Sequence, residues 1–369
     1  MYSEDDLNSA VAAGALSAEA AAGFRNHMSK MRELPRGSEE NFRLINSFND
    51  IFVAIGIVIL LVAVGAIGQA IAGIFAPAYT DLNSALQSAL AGLFVAATAW
   101  PLAEFFTKRR RMALPSILLL LGFVIGVFFS LFGLGAALGF TGDEALGAII
   151  VTLAGLVAGA SAWFHWRRFQ VPITIAAAVG VVVISLLIAL LGIAQMEADE
   201  PVFLITVLVA GLAVFATAMR WDISDRERIT RRSDVAFWLH LLAAPMIAHS
   251  IFALIGVTEG DNIGIGAAVG VLAVYLGFGL LALAVDRRAL LVSALIYVLF
   301  ALTFLFREFG AVELNFALTA LVIGSALLSL SAFWQPIRRS VVSALPETLQ
   351  AKLPSTEDVE LPASAPATA

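Results

Sequence analysis

Long apolar stretches separated by short polar joints fill the chain between residues 51 and 334. A helix needs about 20 predominantly apolar residues to cross the hydrocarbon core of a bilayer, and each stretch comes close to that length. The pattern therefore predicts ten membrane-spanning helices. Their expected ranges are 51–75, 85–106, 112–132, 146–164, 171–194, 202–219, 235–257, 263–285, 289–306 and 314–334.

The distribution of lysine and arginine predicts the direction of these spans. Basic residues lie in every second joint, at 107–111, 165–170, 220–234, 286–288 and 337–339. The joints between them are acidic or neutral, and Arg307 is the one basic residue on that side. Since Lys and Arg are retained in the cytoplasm, the pattern predicts that both termini are cytoplasmic. An odd number of spans would break the alternation.

The basic joints share a short pattern: an arginine pair, a spacer and a new helix, as in RRFQVPIT (167–174) and DRRALL (286–291). We therefore predict an all-α, polytopic integral membrane helix bundle whose ten transmembrane helices form five helical hairpins. Internal duplication is one explanation, and positive-inside hairpins that resemble each other without common origin are the alternative. The expected regions are 1–48, a cytoplasmic helical pair with its linker; 49–336, the membrane domain; and 337–369, a cytoplasmic amphipathic segment with a tail.

Composition agrees with exposure to lipid. Hydrophobic residues make up 60% of the chain and charged residues 14%, with a mean hydropathy of +0.93. Soluble domains carry about 25% charged residues. The chain has no cysteine, which excludes disulfides, thiolate metal sites and cysteine nucleophiles. The acidic start, MYSEDDLNSA, is not expected to act as a secretory signal.

Both ends are expected to lie in the cytoplasm. Residues 6–31 predict two short helices, of which the first ends near Gly14 and the second is capped by Ser17. This pair either binds a cytoplasmic protein or is a solvated hairpin, and a linker follows at 33–41. Beyond Arg339, an amphipathic segment could lie among lipid headgroups, ahead of a disordered Pro/Ala-rich tail. Its apolar residues are Val341, Val342, Leu345, Leu349 and Leu353.

Three phrases carry a resemblance to known proteins: GALSAEAAAGF (14–24), FNDIFVAIG (48–56) and RRSDVAFWLHLLAAP (231–245). With the string of spans that follows the helical pair, they resemble a broad class of uncharacterised bacterial polytopic membrane proteins. The resemblance implies a multi-pass protein of the bacterial cytoplasmic (inner) membrane. It implies no catalytic residues.

Glycine pairs spaced by four residues indicate close helix packing. They are Gly122/Gly126, Gly155/Gly159 and Gly266/Gly270. Such pairs let helix backbones approach closely in lipid. They favour ordinary packing within the bundle, and a homo-oligomer interface is the alternative.

The candidate site for a substrate or a proton is His240, Pro245 and His249 in the seventh span. Ionisable groups inside spans are costly and are functional hypotheses by default. The two histidines lie nine residues apart, about 180° around a straight helix, so they cannot bind one metal together. Pro245 removes a backbone hydrogen bond and could kink the helix. Two hydrogen-bonded structural histidines are the competing interpretation.

Four other polar residues are expected to be interfacial anchors: Glu104, Lys108, His165 and Asp286. Glu104 and Lys108 have the i,i+4 spacing of an ion pair. The acidic residues of the joint at 197–200 are explained by its predicted position on the outer side, and we do not expect them to form a cation site. No nucleotide, zinc or serine-hydrolase motif is present, so we predict no catalytic residue, no metal, no cofactor and no nucleic-acid partner.

Two functions remain open at this point. One is a permease or proton-coupled transporter, whose solute must be neutral or lipid-like because the spans contain so little charge. The other is a non-catalytic scaffold or accessory subunit of a membrane complex. An intramembrane enzyme is less favoured, because no convincing catalytic pair is present.

Overall fold

The computed structural model describes residues 4–24, 48–78, 80–228, 230–256, 265–308 and 314–355. These residues form helices and connecting turns, and none of them forms a strand. The helices are α1 (Glu4–Ala12), α2 (18–24), α3 (Phe48–Phe75), α4 (Asp81–Ala103), α5 (Ala113–Ala137), α6 (Glu144–Phe169), α7 (Ile173–Ala194), α8 (Pro201–Ile223), α9 (Arg231–Leu254), α10 (Ile265–Val285), α11 (Ala289–Glu308), α12 (Asn315–Ala332), α13 (Trp334–Ser343) and α14 (Glu347–Gln350). A π-helical segment, Glu104–Arg109, continues α4.

Eight of the described helices, α3 to α10, are long and apolar enough to cross a membrane. Helices α12 and α13 meet at a 75° bend and would give a ninth span if they are counted as one. The apolar part of α11, Leu290–Phe306, is shorter. An all-α integral membrane helix bundle is therefore confirmed, whereas the tenth span stays a prediction.

The outer surface of the bundle is apolar, as expected for contact with lipid. On α3, Phe52, Ile59 and Val62 each expose more than 60% of their surface. The inner face of the same helix carries small or buried residues such as Ala54 and Ile57. A helix with apolar residues on both faces is typical of a membrane span.

Contacts between side chains place the basic joints at one end of the bundle, here called the basic end. Arg168, at the end of α6, donates to Glu104 in the π-helical segment, with 2.6 Å between Nε and Oε1. Arg231, at the start of α9, donates to the carbonyl oxygen of Gln170, which follows α6. Two ion pairs, described below, place the α10–α11 turn and α13 at the same end. The side of the membrane that the basic end faces stays a prediction.

The division into five hairpins is not confirmed. The most extensive contacts join α4 with α5, α6 with α7, and α8 with α9, across the basic joints. Each of these pairs crosses the boundary between two predicted hairpins. Helices α7 and α8, expected to share one hairpin, have little contact.

Two of the three glycine pairs pack inside the bundle. A Cβ atom on Gly126 would lie 2.7 Å from the carbonyl oxygen of Gly92 on α4. A Cβ atom on Gly155 would collide with Ser185 on α7. In the third pair, a Cβ atom on Gly270 would lie 3.8 Å from the Ile255 side chain, which is an ordinary contact. The first two pairs therefore serve packing between neighbouring helices.

The C-terminal segment folds back on the bundle. Val342 and Leu353 are buried against Val285 at the end of α10. Of the apolar residues expected to face lipid headgroups, Leu349 is 48% exposed. Because two of the larger side chains are already buried in the protein, the segment belongs to the basic end of the bundle.

At the other terminus, α1 and α2 form two short helices. Gly14 has a φ of +70° in the turn between them, a conformation that glycine adopts without steric cost. Ser17 accepts a hydrogen bond from the backbone N–H of Ala20 at 3.1 Å. The linker at 33–41 and the Pro/Ala-rich tail beyond residue 355 lie outside the described residues.

Candidate functional site

Three buried polar side chains from separate elements meet at the basic end. Asp222 ends α8, His240 lies two turns into α9, and Arg287 lies in the α10–α11 turn. They are 1%, 0% and 3% exposed. His240 Nε2 lies 2.8 Å from Asp222 Oδ2, and Arg287 Nη2 donates to Asp222 Oδ1 at 2.5 Å. These residues are called the Asp222 triad.

The Asp222 triad is electrically balanced when His240 is neutral, because Asp222 and Arg287 carry opposite charges. Arg287 also donates to the carbonyl oxygen of Ser233 at 3.0 Å. With the His240 Nε2–H donating to the carboxylate, Nδ1 keeps a lone pair, and this atom has no hydrogen-bond partner among the described residues. A proton bound there would add a positive charge to a buried cluster that already holds Arg287. Because an uncompensated buried charge is costly, protonation would favour separation of these helices.

A second buried cluster surrounds Asp286, next to the triad. Arg228 donates to Asp286 Oδ2 at 2.8 Å, and the indole N–H of Trp334 donates to Oδ1 at 2.6 Å. Arg338 Nε lies 3.7 Å from the same Oδ1. We expected Asp286 to be an interfacial anchor, yet it is 5% exposed. Its φ of +57° turns the chain sharply between α10 and α11, which directs the carboxylate into the protein.

Arginines of the same region hold the C-terminal segment by its backbone. Arg338, which is fully buried, donates to the carbonyl oxygens of Pro354 and Ser355 at 2.7 and 3.0 Å. Arg226 Nε donates to the carbonyl oxygen of Leu353 at 2.8 Å. The segment therefore closes over the α8–α9 joint.

The residues of the predicted histidine site are not brought together. His240 joins the Asp222 triad, whereas His249 Nδ1 lies 2.7 Å from the hydroxyl of Tyr297 on α11. Pro245 is exposed, and α9 continues through it without a break. Pro245 therefore does not end α9, and a kink at this residue stays a prediction.

The other expected anchors lie in two different environments. Glu104 is in contact with both Arg168 and Lys108, and the Lys108 distance is 3.9 Å. His165, in contrast, is fully buried among the rings of Trp100, Phe123 and Phe169, with centroid distances of 6.0, 5.9 and 4.5 Å. A helical side chain leans towards the N-terminus of its helix, which carries His165 into the bundle.

A large apolar groove lies between α5, α7 and α9. Its volume is about 540 Å³. Aliphatic and aromatic side chains form nearly all of its wall, and several of them, including Ile125, Phe129 and Ile184, are also exposed on the outer surface. The groove therefore opens sideways towards lipid. Prominent lining residues are Leu121, Phe128, Ala177, Gly180, Trp238 and Leu242.

Helix α9 separates the groove from the Asp222 triad. Trp238 lines the groove, while His240, two residues later, faces α8 and the α10–α11 turn. A change in the groove and a change in the triad would therefore both act on the position of α9. A buried titratable group and a large apolar groove thus share helix α9.

Sequence reasoning missed the partners of His240. Asp222 falls in the joint predicted at 220–234, and α8 instead extends to Ile223. Arg287 was counted only as one of the basic residues of the joint at 286–288. The available signal was an acid and a base at the ends of apolar helices, next to a span that contains a histidine.

Among the described residues, no three His, Asp or Glu side chains are grouped so that they could hold a metal ion. Comparison with known proteins gave no matching family model, no matching curated protein and no matching solved structure.

Proposed function

We propose that this integral membrane protein is a permease for a neutral or lipid-like solute, which enters sideways from the bilayer through the groove between α5, α7 and α9. The observation that carries the proposal is the groove itself, because its opening faces lipid and its wall is apolar. We place the protein in the bacterial inner membrane with both termini in the cytoplasm, as the resemblance and the basic joints indicate.

The wall of the groove selects against ions. Burial of a charge without a partner is strongly unfavourable, and the groove offers no charged side chain. Its one hydroxyl, on Ser185, donates to the carbonyl oxygen of Val181 at 2.6 Å. An apolar solute body is therefore the chemistry that fits.

The Asp222 triad supplies a route for proton coupling. A proton on Nδ1 of His240 would disturb the charge balance on one side of α9, while the solute contacts Trp238 on the other side. Histidine is the side chain whose unperturbed charge change lies closest to physiological pH, so His240 is the group in this cluster on which a proton gradient could act. Proton binding and solute binding would then favour different positions of α9.

Flux in proteoliposomes tests the proposal. The solute is a phosphatidylglycerol labelled with NBD on an acyl chain, whose movement between leaflets is slow without a protein and is followed by dithionite quenching. Gly180→Leu and Ala177→Leu each fill the groove, and we expect each to reduce protein-dependent flux at least tenfold. Gly56→Leu is the matched control, because that glycine is exposed on α3 and a Cβ atom there would have no neighbouring atom within 4 Å.

Thermal midpoints of all three variants distinguish a filled groove from misfolding. If the folded groove variants carry the labelled phosphatidylglycerol as fast as the parent, or if the parent carries none, the permease proposal is wrong.

A scaffold or accessory subunit is the second candidate function. It is favoured by the C-terminal segment, which Arg226 and Arg338 fix to the basic end while Leu349 stays exposed. A photoreactive benzoylphenylalanine at Leu349 should then cross-link one defined protein in intact cells. The same residue at Val342, which is buried, should give no product.

A further inference from the structure

An arginine lies above the groove at the basic end. Arg231 precedes Trp238 by seven residues and Leu242 by eleven on the continuous helix α9. At 100° per residue these separations bring the three side chains within about 20° of one face. At 1.5 Å per residue, Arg231 lies about 10 Å closer to the basic end than Trp238. Arg231 therefore lies on the groove-lining face of α9, at the polar end of that helix.

A hydrogen bond to the chain segment that precedes α7 also places Arg231 at the basic end of the groove. Arg231 Nη1 donates to the carbonyl oxygen of Gln170 at 3.3 Å. Gln170 lies three residues before Ile173, the first residue of α7 that lines the groove. Arg231 thus bridges the basic ends of two of the three groove helices.

The guanidinium of Arg231 is exposed and keeps further donors. Arginine has five N–H donors, and the contact with Gln170 uses one. The nearest acid along α9, Asp234, lies close enough to interact with both Arg231 and Arg287. Arg167 is exposed near the same end of α6. Arg231 therefore has donors left for an anionic group.

We propose that the groove binds an anionic glycerophospholipid, with an acyl chain against Phe128 and Trp238 and the phosphate on Arg231. This inference deepens the proposed function, because it names the class of lipid-like solute. A phosphate oxygen accepts charge-assisted hydrogen bonds from a guanidinium, and an acyl chain matches an apolar wall. The groove, at about 540 Å³, lies within the size range of specific ligand sites.

Quenching of Trp238 fluorescence reports occupancy of the groove directly. The protein is reconstituted in phosphatidylcholine with increasing fractions of phosphatidylglycerol brominated on its acyl chains. The chain has six tryptophans, so the Trp238→Phe variant identifies the Trp238 contribution by difference. Brominated phosphatidylcholine at the same fractions is the reference lipid.

We expect brominated phosphatidylglycerol to quench Trp238 at fractions where brominated phosphatidylcholine does not. Arg231→Gln should weaken this preference about tenfold, because it removes a charge-assisted hydrogen bond to the phosphate. Arg231→Lys should retain most of it. Arg232→Gln is the matched control, because that residue points about 120° away from Trp238 on α9. It should change the preference less than about twofold, because its charge does not overlie the groove.

Equal quenching by the two lipids would show ordinary boundary lipid and overturn the inference. Equal effects of Arg231→Gln and Arg232→Gln would overturn it as well, because binding would then depend on diffuse charge. The quenching assay needs no transport. If phosphatidylglycerol binds through Arg231 but no lipid is carried, the permease proposal fails while the binding site stands.

Discussion

Asp222 and Arg287 lie 65 residues apart in the chain and form an ion pair, Oδ1 to Nη2, at 2.5 Å that is almost closed to solvent. The pair ties the end of α8 to the α10–α11 turn, and His240 joins it from α9. One carboxylate thus holds together the end of α8, the α10–α11 turn and α9.

Removal of one partner from this pair should destabilise the protein strongly. Arg287→Met leaves the Asp222 carboxylate buried without its cation, and we expect a loss of about 3–5 kcal/mol in the free energy of unfolding. The double variant Asp222→Leu/Arg287→Met should recover much of that loss, because it leaves no unpaired charge. Unfolding in mixed micelles measures both.

The control for this prediction is Glu104→Gln. Its ion pair with Arg168 is exposed, so solvent screens it and the change should be far smaller. If the single and double variants at the buried pair were equally unstable, the charge argument would be wrong.

Loss of the Trp334 indole donor should release the C-terminal segment. Trp334→Phe keeps an aromatic ring beside Arg288 but leaves Asp286 Oδ1 without its 2.6 Å hydrogen bond. An unsatisfied buried acceptor costs about 1–3 kcal/mol, so the segment should open more often. We expect tryptic cleavage at Lys352 to become about tenfold faster, given the scale of that penalty. Trp163→Phe, at an exposed position on α6, should leave the rate unchanged.

The glycine contacts predict that a substitution at Gly126 destabilises the protein and that one at Gly270 does not. Gly126→Ala would bring a Cβ atom to 2.7 Å from the Gly92 carbonyl oxygen, so α4 and α5 must separate. We expect a loss of about 1–3 kcal/mol, as for other overpacked interiors. Gly270→Ala has room and should be close to neutral. Thermal midpoints in one detergent compare them, and similar midpoints would contradict the close approach of α4 and α5.

The pH dependence of flux should belong to His240 rather than to His249. His240→Gln keeps a donor towards Asp222 but cannot bind a proton, so we expect its flux to lose the pH dependence that the parent shows. His249→Gln should follow the parent profile, because its partner is the hydroxyl of Tyr297 and no described charge pairs with it. If His249→Gln removed the pH dependence and His240→Gln did not, the proton-binding residue would be His249, beside Tyr297 on α11.

Cysteine labelling should locate the basic end in the cytoplasm. The chain has no native cysteine, so each introduced cysteine reports one position. In intact cells, an impermeant maleimide should label Asp199→Cys in the opposite joint and should not reach Arg110→Cys. Permeabilised cells should label both. Labelling of Arg110→Cys in intact cells would reverse the assigned orientation.

The sequence by itself determined the class of protein, because only lipid accommodates so many apolar stretches. It also grouped the basic joints, and contacts such as Arg168 with Glu104 now place them at a common end. The number of membrane spans could not be read from the sequence alone, because the bend between α12 and α13 and the short apolar part of α11 depend on packing.

Only the tertiary structure decided which partners the polar residues have. Sequence spacing placed His240 and His249 on opposite faces of one helix, but it could not show that Asp222 and Arg287 meet His240 from other helices. Nor could it show that α5, α7 and α9 leave a groove beneath Arg231. Hydrophobic patterns record whether a side chain avoids water, and that property is local. The partner of a buried charge depends on which helices become neighbours, and this follows from close contacts such as Gly126 with Gly92 that form only when the bundle is assembled.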